Sequence, residues 1–176
     1  YGVLDTSPDA AFDRVTQLAA DLFDAPVALV SLIDETRQWF KSRQGLDLCS
    51  TAREDAFCSH AIELGPDAVM VVEDATLDPR FVANPLVIGE QGIRFYAGAV
   101  LTSPEGHNLG TLCVIDTQPR ARPTDRELNR LRALARIVLD ELERTRLDRV
   151  RWEQARLLKL AETMSGVAHW RYDVVT

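Results

Sequence analysis

Cys58 and His60 stand two residues apart in DAFCSHAI, residues 55–62, and a thiol beside an imidazole is a pattern that can do chemistry. The pair could be an activated nucleophile and its base, part of a zinc site, a cofactor tether, or a piece of core. Geometry limits the first reading. Successive helical residues turn by about 100°, so residues two apart point about 200° away from one another on a regular helix. Composition limits the second. Zinc takes about four ligands, His107 and His169 lie far along the chain, and only Cys49 is near enough to help. No G-x-x-x-x-G-K phosphate loop, G-x-G-x-x-G or nucleophile elbow occurs. We therefore expect no catalytic and no metal-binding residue. Phe57, Ala61 and Ile62 are expected to seal a short helix onto a sheet, with Cys58, a small and commonly buried residue, beside them at a pocket. His60 would cap that helix or bond a backbone carbonyl.

Other side chains gather round the same expected pocket. Trp39 and Phe40 alternate on one strand, so one faces the core and the other the opposite side. Arg94, Phe95 and Tyr96 lead into another strand, and Arg94 suits either an anionic ligand or a salt bridge. Asp78-Pro79-Arg80-Phe81 would anchor a helical lid, and Cys113 in LGTLCVID is core. The candidate pocket set is thus Trp39, Phe57, Cys58, His60, Phe81, Arg94, Phe95 and Tyr96, for a ligand of unknown identity and with no covalently held cofactor.

The elements that must position these residues follow from period and punctuation. Ser7 as N-cap and Pro8 in the first turn predict a helix with the apolar face Phe12, Val15, Leu18, Ala19, Leu22 and Phe23, ended by Asp24-Ala25-Pro26. VALVSLID (27–34) and QWFKSRQGL (38–46) predict paired strands. Residues 47–55 read as irregular, and Gly65-Pro66 stops the short helix around Cys58. AVMVVEDA (68–75) predicts a third strand; then Asp78 and Pro79 start a short helix that Asn84-Pro85 interrupts. RFYAGAVLTS (94–103) and NLGTLCVIDTQ (108–118) predict two more strands joined through PEGH, where Gly106 suits a positive φ.

Thr124 and Glu127 form a capping box for a helix running to about residue 163, roughly 60 Å long. Along it Leu131, Ala135, Val138 and Leu142 make a coiled-coil-like seam. Val150, Leu157, Ala161 and Met164 make a second, with Gln154 filling one position and the register slipping near Thr145. Leu131, Ala135, Val138, Leu142, Val150 and Leu157 are therefore the expected pairing and signalling residues. HWRYDVV, beyond Gly166, begins what reads as a strand of a further domain.

With 46% hydrophobic residues the chain is globular and not disordered. A net charge of −7 argues against a nucleic-acid surface. No apolar run approaches a membrane span. Three cysteines, an odd and sparse count, suit a reducing compartment, so a cytoplasmic location is expected. The chain opens at Tyr1 with neither Met nor a signal peptide, and reads as a piece of a longer protein.

This order of elements resembles the GAF sensory domain. The strings LDTSPDAAFDRVTQLAADLFDAPVALVSLID, RQWFKSRQGL, FCSHAI, VVEDATLDPRFVANPLV, GIRFYAGAVL and LGTLCVIDTQPR look like the GAF domains near the start of many bacterial sensor histidine kinases and cyclic-di-GMP enzymes. The resemblance covers residues 3–143. Residues 144–163 would be a helical, coiled-coil-like linker, and 164–176, within LLKLAETMSGVAHWRYDVVT, look like the start of a truncated PAS domain.

The resemblance implies an α+β fold: an antiparallel sheet with N- and C-terminal helices on one face and loops and short helices over a pocket on the other. It implies a homodimer paired through the terminal helices, a small-molecule ligand, and a signal passed down the last helix. The slipped seam suits a two-state connector of that kind. The implied function is the sensory and dimerisation module of a cytosolic bacterial two-component system, in a parent sensor histidine kinase. A diguanylate cyclase or phosphodiesterase is the alternative parent, and a scaffold that binds nothing is another reading. On each of these the chain itself catalyses nothing.

Two further GAF types match less well. Free methionine sulfoxide reductases have cysteines near the positions of Cys49 and Cys58, but the cysteine their chemistry needs falls where this chain has EDATLDPRFVANP, without one. Bilin-binding GAF domains attach pigment through a cysteine followed by histidine, whereas Ser59 follows Cys58, which also falls early in the domain.

Overall fold

Asp9, not Ser7, starts the first helix in the computed structural model, which describes residues 2–165. The Asp9 side chain accepts from Ala11 N at 2.9 Å and caps α1 (Ala10–Phe23). Ser7 is held elsewhere: its carbonyl accepts from Lys41 Nζ at 2.9 Å. Asp24, at φ 45°, closes the helix by donating its N–H to the Ala20 and Asp21 carbonyls. The buried face is Phe12, Val15, Thr16, Ala19, Ala20 and Phe23; Leu18 and Leu22, expected inside, are exposed. Thr16 takes an inward place because its hydroxyl meets Ser42 Oγ at 2.9 Å.

Among the described residues six strands follow in one antiparallel sheet: β1 (Val27–Ile33), β2 (Arg37–Gln44), β3 (Ser50–Ala52), β4 (Val69–Val72), β5 (Phe95–Thr102) and β6 (Asn108–Asp116). Their spatial order is β3-β2-β1-β6-β5-β4. β3 lies in the stretch expected to be irregular. It pairs Ser50 with Trp39, and three residues of Ser, Thr and Ala carry no apolar alternation to reveal a strand. The short helices are α2 (Phe57–Ile62) and α3 (Pro85–Ile88). Asn84-Pro85, expected to interrupt a helix, starts one: Asn84 Oδ1 accepts from Leu86 N at 2.8 Å, and Pro85 fills the first turn. Asp78-Pro79 makes only turns.

Two layers cover the sheet, and the strand period of two decides which side chain enters which. Ala28, Val30 and Leu32 of β1, Phe95, Ala97 and Leu101 of β5, and Leu112 and Val114 of β6 pack with α1 and the last helix, α4 (Asp125–Ser165). Leu29, Tyr96, Val100, Cys113 and Ile115 face the other way, toward α2, α3 and the loops. An irregularity between β1 and β2 breaks the period. Val30 pairs with Ser42 and Ser31 with Phe40, so Lys41 is a bulge residue between them. Trp39, opposite Leu32, therefore faces the helices, and Phe40 faces the other layer.

Thr124 and Glu127 cap α4 as expected, with Glu127 N 3.3 Å from Thr124 Oγ1 and the Thr124 hydroxyl 2.7 Å from Glu127 Oε2. The seam Leu131, Ala135, Val138 and Leu142 is fully used by the domain's own core, which corrects its reading as a pairing seam. An amphipathic helix lying on a sheet and a helix in a coiled coil need the same spacing. Val150 and Leu157 are exposed. They continue from Leu147 at heptad spacing on a side of the helix turned roughly 110° from the core seam. Of residues 164–176, where the PAS start was expected, the first two continue α4 and 166–176 lie outside the described residues. Among the described residues no helix is long and apolar enough to cross a membrane.

Candidate functional site

On the sheet face away from α1 and α4 lies a cavity of about 170 Å³. Val27, Leu29 and Ile115 of the central strands, Phe40 of β2, Leu46, Leu48, Leu86 and Ile93 give it apolar walls. Gln38, Thr51, Cys58 and Tyr96 give it a polar region. Gly45, Leu48 and Thr117 also line it and are exposed, so the cavity reaches the surface beside the loop between β2 and β3. Gly45 sits at φ 72°, and a Cβ there would overlap the Pro26 carbonyl; glycine is what lets this turn close against the start of β1.

The polar region is built around sulfur. α2 presents Cys58 to the sheet, where Thr111 Oγ1 lies 2.9 Å and Tyr96 Oη 3.3 Å from its Sγ. Gln38 Nε2 donates to Cys58 Sγ at 3.0 Å and to Ser31 Oγ at 2.6 Å, while its Oε1 accepts from Thr51 Oγ1 at 2.9 Å. Cys113, two residues along β6 from Thr111, is buried in the same cluster. Tyr96 reaches this point by lying over Gly98, where a Cβ would overlap its ring and hydroxyl. Buried polar groups are costly unless partnered, and here each answers another.

These contacts set the ionisation. Burial pushes the Cys58 thiol up, but hydrogen bonds from Cys113, Ser31, Thr111 and Tyr96 outweigh it and bring it down to about 6. Cys113 is driven well up by its hydrogen bond to Cys58 and by burial. Tyr96 is driven up by burial and then by the charge on Cys58. The cluster therefore favours one anion, on Cys58, ringed by groups that keep their protons.

The expected pocket residues divide. Phe57, Cys58 and Tyr96 line the cavity. Phe81 stands behind, its ring stacked on Phe57 at 4.0 Å, and His60 packs edge-on against Phe81 at 5.0 Å. Cys58 and His60 thus point to different neighbours, as helical spacing requires. Arg94 does not line the cavity; its Nη1 donates to the Val87 carbonyl at 2.8 Å and to that of Ile93 at 3.0 Å, tying α3 to the start of β5. Trp39 and Phe95 lie on the helix side of the sheet and are not part of this site, because alternation without its phase cannot say which face an aromatic takes. Gln38, Phe40, Thr51 and Thr111 belong to it and were not expected. Ser31 and Thr111 carry a signal, being polar residues inside otherwise apolar strands. Leu46 and Leu48, in a loop, carry none. Among the described residues no three His, Cys, Asp or Glu side chains group as a metal would need.

The model of the GAF domain family matches residues 7–140. A cyclic di-GMP phosphodiesterase of Pseudomonas aeruginosa is 47% identical over 145 residues, which is 82% of this chain. The chain spans only 24% of that relative's length. Among solved structures, a domain described as from a two-component sensor histidine kinase of Sinorhizobium meliloti aligns over 81% of this chain and 95% of its own, with TM-score 0.60 and 16% identity. Free methionine-R-sulfoxide reductase of Neisseria meningitidis, in complex with its substrate, aligns over 83% and 84%, with TM-score 0.62 and 20% identity. At these identities both speak for the fold alone. In this chain Cys49 is exposed, its sulfur 3.2 Å from Arg43 Nη1, while Cys58 is buried. The stretch after β4, residues 73–84, contains no cysteine.

Proposed function

This chain belongs to the GAF domain family, and from that premise we propose that it is the regulatory module of a larger signalling protein that turns over cyclic di-GMP. The observation that carries the reading is the 47% identity with a cyclic di-GMP phosphodiesterase. A histidine-kinase parent, the first expectation, has only a likeness of fold behind it. A cytoplasmic location goes with either parent.

The module's ligand is a small, uncharged, largely apolar molecule. Among the described residues no Lys, Arg or His lines the cavity, and the one carboxylate that does, Asp116, is already held by Arg120 Nε at 2.6 Å. A phosphate group would lose its hydration there and gain no cation. Tyr96 and Ile115 touch the cavity on β5 and β6, whose next residues, Ala97 and Val114, pack with α1 and α4. A filled cavity therefore bears on the strands that carry α4. Pairing uses the exposed stripe Leu147, Val150 and Leu157 of the linker, residues 144–163, and leads into a PAS domain starting within 164–176.

The test is an assay of the full-length protein that carries this chain. Cyclic di-GMP synthesis or hydrolysis that changes when Val27→Phe fills the cavity supports the reading. Autophosphorylation from ATP with no cyclic di-GMP turnover would replace it with the kinase.

A further inference from the structure

Cys58 and Cys113 are both buried in the same layer against the sheet, and Cys113 stands two residues along β6 from Thr111, whose hydroxyl lies 2.9 Å from Cys58 Sγ, so the two thiols are neighbours. Only Cys58 also borders the cavity. Its sulfur is aimed at by Gln38 Nε2 at 3.0 Å, Thr111 Oγ1 at 2.9 Å and Tyr96 Oη at 3.3 Å. Gln38 Nε2 also donates to Ser31 Oγ at 2.6 Å and its Oε1 accepts from Thr51 Oγ1 at 2.9 Å, so the amide is held beside the sulfur from both ends. A sulfur within hydrogen-bond distance of an amide N–H and two hydroxyls is suited to carry an anion, and the thiolate is the nucleophilic form of cysteine. The cavity's apolar walls admit an uncharged reactant and turn away a charged one.

We propose that Cys58 is a site of reversible oxidation by a small uncharged hydroperoxide entering through the cavity, with Cys113 as the resolving thiol. The Cys58 sulfur attacks the terminal oxygen of the hydroperoxide. The O–O bond breaks, the electron pair leaves with the alkoxide, and the alkoxide takes a proton to become the alcohol. Cys58 is then a sulfenic acid. The Cys113 sulfur attacks that sulfur; the S–S bond forms, the S–O bond breaks, and the hydroxide leaves with the Cys113 proton as water. Two thiols are oxidised to one disulfide, and one hydroperoxide is reduced to alcohol and water. Thr111 and Tyr96 face the reacting sulfur and offer hydrogen bonds to the departing oxygen. The inference needs the cavity only, and stands whether the parent makes, degrades or ignores cyclic di-GMP.

The test treats the intact chain with tert-butyl hydroperoxide or hydrogen peroxide, quenches free thiols with an alkylating agent, and maps the digested peptides. A peptide pair joined through Cys58 and Cys113 and released by dithiothreitol is the expected result. In Cys113→Ser a Cys58 sulfenic acid should be trapped by dimedone; in Cys58→Ser, Cys113 should oxidise at least about tenfold more slowly, since it has lost its thiolate partner. Val27→Phe should slow the bulkier tert-butyl hydroperoxide more than hydrogen peroxide. If wild-type Cys58 stays reduced while exposed Cys49 is oxidised, or if Cys58 pairs with Cys49, the proposal is overturned. The wild-type map decides this even if a cysteine variant fails to fold.

Discussion

Gln38 Nε2 lies 3.0 Å from Cys58 Sγ, and the other end of the same amide accepts from Thr51 Oγ1 at 2.9 Å. Hydrogen bonds at both ends hold the amide in place, with its N–H toward the sulfur. Replacing it with a side chain of similar length and no N–H, Gln38→Met, should raise the Cys58 titration midpoint from about 6. Ser31 and Thr51 would lose a buried partner, at a cost of about 1–3 kcal/mol in stability. Ultraviolet thiolate absorbance against pH, in a Cys49→Ser background, measures the first effect, and urea unfolding the second. A midpoint that does not move would remove Gln38 from the account of this thiol.

The same thiol ties folding to pH. Its midpoint falls from the ordinary 9.0 to about 6 in the fold, so between those values the unfolded chain binds the extra proton. Its contribution to stability therefore grows as pH rises from 6 to 9, is complete above 9, and is lost as pH falls through 6. The titratable groups facing it, Tyr96 and Cys113, are both pushed up and keep their protons across that window. The difference in unfolding free energy between wild type and Cys58→Ser should widen in favour of wild type on going from pH 6 to pH 9. A flat difference would show that the fold does not prefer the thiolate.

Leu142 and Leu157 sit on one helix and should answer different assays. Leu142 is fully buried against the sheet layer, whereas Leu157 is 66% exposed. Leu142→Ala should cost about 2–5 kcal/mol in stability and leave the oligomeric state alone. Leu157→Glu should change stability by less than about 0.5 kcal/mol and weaken self-association, read by light scattering across a concentration series. Association that survives Leu157→Glu and the companion Leu147→Glu would move the pairing surface off this stripe.

The contrast shows where the sequence was informative. Strand pairs and the long helix were legible because alternation and capping are local signals, as in NLGTLCVID and the Thr124–Glu127 box. What escaped depended on phase or on partners. Alternation says that Trp39 and Phe40 part company, but a bulge at Lys41 and the sheet's two covered faces decide which of them reaches the cavity. The spacing of Leu131 to Leu142 says that a face is buried and not against what. Asn84-Pro85 can end one helix or cap the next, and only the Asn84 to Leu86 hydrogen bond distinguishes them. The cavity's polar region joins residues as far apart as Ser31 and Thr111, and no local pattern brings those together.

Gly98 makes that polar region possible. It pairs with Cys113 across the ladder, and the Tyr96 ring crosses the space where a side chain at 98 would begin. Gly98→Ala should therefore expel Tyr96 from its place against Cys58 and Thr111, because β5 is a central strand held on both edges and cannot shift to make room. Overpacking of this kind typically costs about 1–3 kcal/mol. Tyr96→Ala removes the obstacle and carries its own cost as a lost buried aromatic. If the two changes act through one clash, the double variant should be more stable than the sum of the single costs allows, with a coupling of about 0.5–3 kcal/mol measured by urea unfolding of all four proteins. Additive costs would mean that Gly98 is required for some other reason than the passage of Tyr96.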